Sequence, residues 1–583
     1  MKKTMLLILI MAFTLVGCTS ESDPTKDKMQ KMYGENKEIT TEYDESLSAA
    51  CNNGIFVGIA DGDVISFKGI PYAEQPVGEL RWKEPVPAED DSGVYEAYFF
   101  GKSPIQSEWV SEVGSYYEQG EDCLYLNVWT NSSNSSTDKT VMVFFHGGSY
   151  GWGGTSDPIY DGHNLVEKFD DIILVTVGYR TGIMGFIDFS FVEGGEDYEK
   201  SGNLGLLDQV EALRWIQKNI SAFGGNPDNV TIFGESAGGG SVSLLPLIEE
   251  TDGLFNRIIA QSGSIALTYS TEECRNLTEM LLEETGCRTM EELVALPVEK
   301  LIEVNETLND YNNFPERDGV VLPKDLYAAY ESGATTDIDM LIGTNADETR
   351  YWIREMGYYT DLIDGQTIYS VGLPIMYENN IANISDADLQ YVDAFMEMQT
   401  DKKIWNLTEF YNEILFRIPA LKQAELHAQN GGNAYVYQWT YSGADETIGA
   451  CHAIELSYIF NNLQETIYTG ERINEQLADT SQTMWVNFAR TGNPSTEEIE
   501  WNAYTADTKY TMLLGEEVKL VDDYKGSQRE LIEPLLKYGF NGCYSQLSFN
   551  VPQVYKMVVM IVCMIICVSV AIVIVCRRLR KKR

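Results

Sequence analysis

The sequence predicts an α/β fold with a large, mostly parallel central sheet flanked by helices. Three observations carry that expectation. Val141-Met142-Val143-Phe144-Phe145 and Ile172-Ile173-Leu174-Val175-Thr176-Val177 are nearly unbroken apolar runs, as in strands covered on both faces. Residues 203–218 repeat Leu206, Val210, Leu213 and Ile216 at helical spacing, which leaves Asp208, Glu211 and Arg214 for the outer face. Val230-Thr231-Ile232-Phe233 then runs through a glycine-rich turn into the small-residue start of a helix. Strand and helix alternate, and parallel neighbours require such crossovers.

Taken in order, Ile55-Phe56-Val57-Gly58-Ile59-Ala60 and Val64-Ile65-Ser66-Phe67-Lys68 flank Asp61-Gly62-Asp63 and read as a β-hairpin. A proline-rich surface run follows over residues 76–87, then a strand, Leu124-Tyr125-Leu126-Asn127-Val128-Trp129, and a Ser/Asn loop over residues 131–138. Ile258-Ile259-Ala260 and Met340-Leu341-Ile342-Gly343 continue the sheet, and Tyr435-Val436-Tyr437-Gln438-Trp439 is its last legible strand. Residues 272–331 turn helical and acidic, and are read as insertions around the sheet. No internal repeat is visible.

Both ends carry membrane signals. Lys2 and Lys3 precede an apolar stretch over residues 5–16, too short to span a bilayer and suited to a secretory signal. Leu15-Val16-Gly17-Cys18 resembles a bacterial lipobox, in which Cys18 would be lipidated; an ordinary signal peptide with an incidental cysteine is the alternative. Residues 557–576 are apolar apart from Ser569, long enough as a helix for about 30 Å of hydrocarbon. Arg577-Arg578-Leu579-Arg580-Lys581-Lys582-Arg583 places the far end in the cytoplasm. The expected organisation is a signal over residues 1–18, a flexible tether over 19–49 and a globular body over 50–545. A linker over 546–556, a transmembrane helix over 557–576 and a basic tail over 577–583 complete it. The body is expected outside the cell, on a single-pass membrane protein.

The formal charge of −46 excludes nucleic-acid binding through a basic face. Four histidines and no C-x-x-C motif give no metal site, and no cofactor is expected.

The chemistry centres on Gly234-Glu235-Ser236-Ala237-Gly238, a G-x-S-x-G turn between strand and helix. Such an elbow lifts Ser236 off the sheet at the amino end of a helix, where N–H groups and partial positive charge would meet an oxyanion. A serine hydroxyl needs a base. His146 follows a central strand in His-Gly-Gly, where the glycines matter more than the ring. His163 precedes Ser236 in a surface loop, in the wrong order for this arrangement. His427 lies in a polar helix and reads as solvated. His452, in Gly449-Ala450-Cys451-His452-Ala453-Ile454-Glu455, follows the last legible strand, where the order serine, acid, histidine places the base. The acid should follow a sheet strand, and Thr344-Asn345-Ala346-Asp347-Glu348 offers two adjacent carboxylates. One orients the imidazole and the other is solvated; spacing does not choose between them.

These residues together resemble the type-B carboxylesterases, relatives of the cholinesterases and neuroligins, over about residues 50–545. Phe223-Gly224-Gly225 through Gly238 is similar to the family's serine signature, and Glu121-Asp122-Cys123-Leu124-Tyr125-Leu126-Asn127-Val128 to its second. Phe67-Lys68-Gly69-Ile70-Pro71-Tyr72-Ala73, Tyr160-Asp161-Gly162, Asp318-Gly319 and Phe488-Ala489-Arg490-Thr491-Gly492-Asn493-Pro494 match further blocks in order.

The resemblance implies the α/β-hydrolase fold and a Ser236–His452–Glu348 triad. It also implies an oxyanion hole from the N–H groups of Gly148, Ser149 and Ala237, and a Cys274–Cys287 disulfide. Relatives usually carry glycine at Ser149 and at Ala453; a side chain at Ser149 is accommodated if its φ is negative. Cys123 lacks its usual upstream partner, since Ser103-Pro104-Ile105-Gln106 stands there; Cys51 is one candidate, and Cys451–Cys543 another pairing.

The function implied is a serine carboxylesterase acting on a small-molecule ester through an acyl-enzyme, held to the membrane by its C-terminal helix and by any lipid on Cys18. A catalytically silent, neuroligin-like adhesion ectodomain is the alternative from another class, and the intact triad separates the two.

Overall fold

The apolar runs become the middle of one sheet. A computed structural model describes residues 30–106, 117–308, 313–353, 365–399 and 401–541. The expected signal, Cys18, Cys543, the linker, the apolar stretch 557–576 and the basic tail lie outside the described residues. Among the described residues no helix is long and apolar enough to cross a membrane.

The strands are β1 (Ser48–Cys51), β2 (Asn53–Val57), β3 (Ile59–Asp61), β4 (Val64–Pro71), β5 (Asp91–Glu96), β6 (Tyr125–Asn131) and β7 (Lys139–Phe145). They continue as β8 (Ile172–Val177), β9 (Gly225–Glu235), β10 (Arg257–Gln261), β11 (Asp339–Asn345), β12 (Ala434–Trp439), β13 (Tyr510–Leu514) and β14 (Lys519–Asp522). Eleven of them form one sheet in the order β14-β13-β12-β11-β10-β9-β7-β8-β6-β4-β3; β1, β2 and β5 form a smaller one. From β13 through to β8 every pairing in the large sheet is parallel, and its edges are antiparallel. All residues of β7 and β8 are buried, which is why both read as continuous apolar runs.

The predicted hairpin forms between β3 and β4, with Asp61 opposite Val64 and Gly62 at φ 61° in the turn. Its first strand is shorter than expected. It breaks at Gly58, where a side chain would lie 2.7 Å from the Ser66 carbonyl oxygen, and β2 leaves for the smaller sheet. Strands β13 and β14 were not legible, so β12 is not the last strand. Residues 272–331 are helical as expected, in Thr271–Thr285, Met290–Val294, Val298–Leu308 and Leu326–Glu331.

The amphipathic helix is α1 (Leu204–Asn219); of the three residues expected on its outer face, only Arg214 is exposed. Asp208 and Glu211 are buried. Asp208 grips the buried Arg180 just beyond β8 in a fork of 2.6 and 2.8 Å, and Arg180 also donates to the Lys83 carbonyl at 2.7 Å. A carboxylate belongs inside when a guanidinium is already there. Residues 30–49, expected as tether, likewise lie against the body. Tyr33 is buried with its hydroxyl 2.5 Å from Ser156 Oγ. The Asn36 amide donates to the carbonyls of Lys68 and Phe99 and accepts from the N–H groups of Tyr98 and Phe99.

Among the described residues the Cys274–Cys287 disulfide is absent, and both thiols are free, as are Cys51 and Cys123. Helix α3 (Thr271–Thr285), opened by a Ser270/Glu273 capping box and closed by Gly286 at φ 72°, runs between the two cysteines. From Cys274 to the end of α3 the helix rises about 16 Å at ~1.5 Å per residue, whereas a disulfide needs Cα atoms within ~7 Å. Cys274 is buried instead beside Glu316, whose carboxyl burial pushes up to about 7. A hydrogen bond with Thr271 and the charge of Arg275 oppose that shift; Asp188 and Asp318 add to it.

Backbone strain gathers at one edge of the sheet. Ser149 (φ 53°) and Tyr150 (φ 57°) follow β7, Ser236 (φ 57°) follows β9, Ser262 (φ 49°) follows β10, and Ala453 (φ 65°) lies in the loop system after β12. The negative φ that would accommodate Ser149 is not adopted, so this serine holds a left-handed backbone that glycine occupies at no cost.

Two outcomes follow. Ser149→Gly should raise stability by about 0.5–1 kcal/mol, relief of ~1–2 kcal/mol of strain less the added freedom of the unfolded chain; a thermal midpoint that does not rise would refute the strained reading. Glu316 has a folded pKa above its unfolded one, so its stabilising protonation is complete below about 4.5 and lost as pH climbs through about 7. Glu316→Gln should therefore raise the thermal midpoint at pH 8 and leave it nearly unchanged at pH 5; an equal effect at both would show that ionisation is not the cause.

Candidate active site

Strand β9 delivers Ser236 to the carboxyl edge of the sheet. Its backbone sits at φ 57°, ψ −119°, and helix α2 (Ala237–Leu244) starts at the next residue. The turn closes because glycines let backbones touch. A side chain at Gly234 would lie 2.5 Å from the Gly238 backbone, and one at Gly238 would collide with the Phe145 carbonyl. One at Gly263 would collide with the Ser236 carbonyl. The Ser236 N–H donates to the Gln261 carbonyl at 2.8 Å, and its carbonyl accepts from Gly240 N–H at 2.8 Å. Between Val230 and Leu245, Ser236 alone is not buried.

The loop after β7 folds beside this turn. A side chain at Gly147 would lie 3.0 Å from Ser236 Cβ, and one at Gly240, in the first turn of α2, 2.7 Å from the Tyr150 hydroxyl. Gly148, at φ 106°, accepts from the N–H groups of Gly151 and Trp152 at 2.9 and 3.1 Å. Among the turn, loop and side-chain hydrogen bonds of the described residues, none takes the N–H of Gly148, Ser149 or Ala237.

Strand β11 ends at Asn345, and Glu348 follows with its carboxylate fully buried. Glu348 Oε2 lies 2.6 Å from His452 Nδ1, and Oε1 accepts from the Asn345 N–H at 2.7 Å. The other ring nitrogen, Nε2, lies 3.1 Å from Glu235 Oε1. The imidazole thus spans two buried carboxylates, one of them on the residue before Ser236. Aromatic rings wall it: Tyr351 at 5.7 Å, Trp352 at 6.3 Å and nearly parallel, and Phe416 at 5.2 Å.

The structure separates the two adjacent carboxylates. Glu348 meets the imidazole. Asp347, expected to be solvated if it was not the acid, accepts from the Ala450 N–H at 2.9 Å and pairs with Arg350 at 3.0 Å. The other histidines stand apart. His146 is buried and stacked on Tyr179 at 4.5 Å, and burial pushes it down to about 4. His427 is buried, not solvated, with Nδ1 2.9 Å from Thr335 Oγ1 and its pKa lowered by burial. His163 is half-buried at the start of a short helix.

Two carboxylates escaped the reading for site roles: Glu235, inside the G-x-S-x-G motif, and Glu455, three residues past His452. Glu455 is fully buried and accepts from Asn345 Nδ2 at 2.6 Å and Gln261 Nε2 at 3.1 Å. Burial raises its pKa, and the Asn345 donor opposes that. Gln261 in turn accepts from Trp485 Nε1 at 3.2 Å. Among the described residues no group of three His, Cys, Asp or Glu is placed to hold a metal ion.

The chain is similar in sequence and fold to known proteins. The model of the Carboxylesterase family matches residues 47–531. A para-nitrobenzyl esterase of Bacillus subtilis is 33% identical over 517 residues, covering 85% of this chain and 98% of that protein. A cholinesterase of Mus musculus is 30% identical over 517 residues, covering 82% and 84%. A crystal structure of a carboxylesterase from Geobacillus stearothermophilus superposes with a TM-score of 0.74 at 32% identity, over 83% of this chain and 99% of that one. The chain belongs to the carboxylesterase family and is a serine carboxylic ester hydrolase with an α/β-hydrolase fold.

Proposed function

We propose that hydrolysis runs through an acyl-enzyme on Ser236, with His452 as base and Glu348 as its acid partner. The observation that carries the reading is the 2.6 Å contact between Glu348 and His452 Nδ1, on a ring that reaches the residue beside Ser236. Ser236 Oγ attacks the ester carbonyl, and His452 Nε2 takes its proton and passes it to the leaving alcohol. Glu348 keeps the ring in the tautomer with Nδ1–H and stabilises the imidazolium that forms. Water then repeats the sequence and releases the acid. The N–H groups of Gly148, Ser149 and Ala237 receive the oxyanion. Each such donor is worth about 2.7–4 kcal/mol where measured in comparable holes. For His452 Nε2 to serve Ser236, it exchanges its contact with Glu235 for one with the serine hydroxyl.

The body is carried on the outer face of a membrane by residues 557–576, with the secretory signal at residues 1–18 and Cys18 as the lipidation site if the lipobox is used. The support is the sequence pattern: an apolar stretch of one bilayer thickness followed by a basic tail.

Ser236→Ala should lower turnover of short p-nitrophenyl esters by about 10⁴-fold or more while the chain stays folded; retained turnover would end the proposal. Glu348→Gln should cost roughly 10³–10⁴-fold in kcat by upsetting the tautomer, and a loss below tenfold would remove Glu348 from the triad. The full chain should fractionate with membranes and be digested by protease added to intact cells. Truncation after residue 545 should leave a soluble, active esterase, and a full chain found in the soluble cell fraction would contradict the anchor.

A further inference from the structure

The geometry points to Asn345 and Asp347 as positioning residues for His452, an inference that rests on the triad proposed above. Each hydrogen bond between the segment carrying Glu348 and the peptide leading to His452 can be traced. Asn345 Nδ2 donates to the Cys451 carbonyl at 2.9 Å. The Asp347 N–H donates to the Ala450 carbonyl at 2.9 Å, and its Oδ2 accepts from the Ala450 N–H at 2.9 Å. The His452 N–H reaches the Glu348 carbonyl at 3.3 Å. Residues 345–348 and 450–452 are thus laced together on both sides of the Glu348–His452 contact.

Two further observations support a dedicated function. The Asn345 side chain is buried, yet its Oδ1 has no hydrogen-bond partner, so only its donor end is used. Both oxygens it faces, on Cys451 and Glu455, accept, so the amide orientation follows from chemistry. A buried acceptor left unsatisfied is costly; the fold keeps the amide for its two N–H bonds. Gly449, at φ 60°, allows the close approach: a side chain there would collide with Asp347 Oδ2. The lacing therefore fixes the imidazole's attachment point even when Nε2 is free to change partners.

The test compares Asp347→Ala, Asp347→Asn and Asn345→Ala in the full chain, with kcat and KM for a p-nitrophenyl ester and the thermal midpoint of each. Asp347→Ala removes the acceptor for the Ala450 N–H and should lower kcat about 10–100-fold with KM within about threefold, as misplacement of a reacting group does. Asp347→Asn keeps an acceptor oxygen but loses the ion pair with Arg350, and should retain kcat within about threefold. Asn345→Ala should lower kcat as Asp347→Ala does. Asp347→Asn as impaired as Asp347→Ala would assign the effect to charge, and Asp347→Ala with normal kcat would remove the positioning role; either overturns the inference. Should Asn345→Ala fail to fold, the Asp347 pair decides alone. The triad itself is judged separately by Ser236→Ala: loss of turnover there, with Asp347→Ala fully active, would sink the positioning role and leave the triad standing.

Discussion

Ser236 holds a backbone geometry that an L-residue reaches only under constraint, at a cost of about 1–3 kcal/mol, and the sheet is what constrains it. Strand β9 lies between β7 and β10, with Gly234 opposite Phe145 on one side and Glu235 opposite Gln261 on the other. That register puts the Phe145 carbonyl where Gly238 must be bare, and the Gln261 carbonyl where it accepts the Ser236 N–H. A shift of one residue in either pairing would reverse the faces and dissolve both contacts. The strain is thus held by three buried strands that could not slip without exposing their apolar residues. Parallel pairing also explains why the site assembles at all. Strands β9, β11 and β12 end at the same edge, so Ser236, Glu348 and the loop bearing His452 emerge side by side though far apart in sequence.

Much of this was legible because local chemistry and global fold agree there. The runs of β7 and β8 could only be central strands, and the glycines around Ser236 mark a turn whose tightness they permit. What failed was the inference from polarity to exposure at three particular side chains. Asp208, Glu211 and His427 sit on helices with polar sequences, yet all three are buried: Arg180 and Thr335 supply Asp208 and His427 with partners that no periodicity encodes, and Glu211 pairs with Arg214 one turn on. Residues 30–49 looked like tether for the same reason; the amide of Asn36 binds four backbone groups, which composition does not reveal. The Cys274–Cys287 pairing came from resemblance, and the uninterrupted helix between the two cysteines keeps them apart. Strand β14 is a short edge strand with no buried residue, and β13 beside it is only five residues long, so neither carries the extended apolar signal that marks the centre.

Adjacent carboxylates posed a question spacing could not answer, and the structure answers it through burial. Glu348 has lost its water and faces the imidazole; Asp347, one residue earlier, points the other way toward a backbone N–H and a guanidinium. Neighbouring side chains beyond a strand end diverge, so one continues into the site while the other braces the loop that brings the base. The two residues differ in what surrounds them.

Charge then separates the two parts of the site. Glu235 and Glu348 are both fully buried, one at each ring nitrogen of His452. Carboxylates so placed are expensive to keep in a dry interior, and nothing in the structural role of a turn demands them. They make sense if the ring between them carries positive charge at some stage, since an imidazolium there would find an acceptor on each nitrogen. In the proposed cycle that stage comes when the serine proton has moved and the oxyanion has formed. The negative charge then meets N–H groups at the start of α2 and in the loop after β7, and the positive charge meets Glu348 through Nδ1 while Nε2–H faces the leaving oxygen. The substrate's reacting carbonyl lies between the two, so the field of the site is oriented before the ester arrives, and little of the protein must reorganise when charge separates.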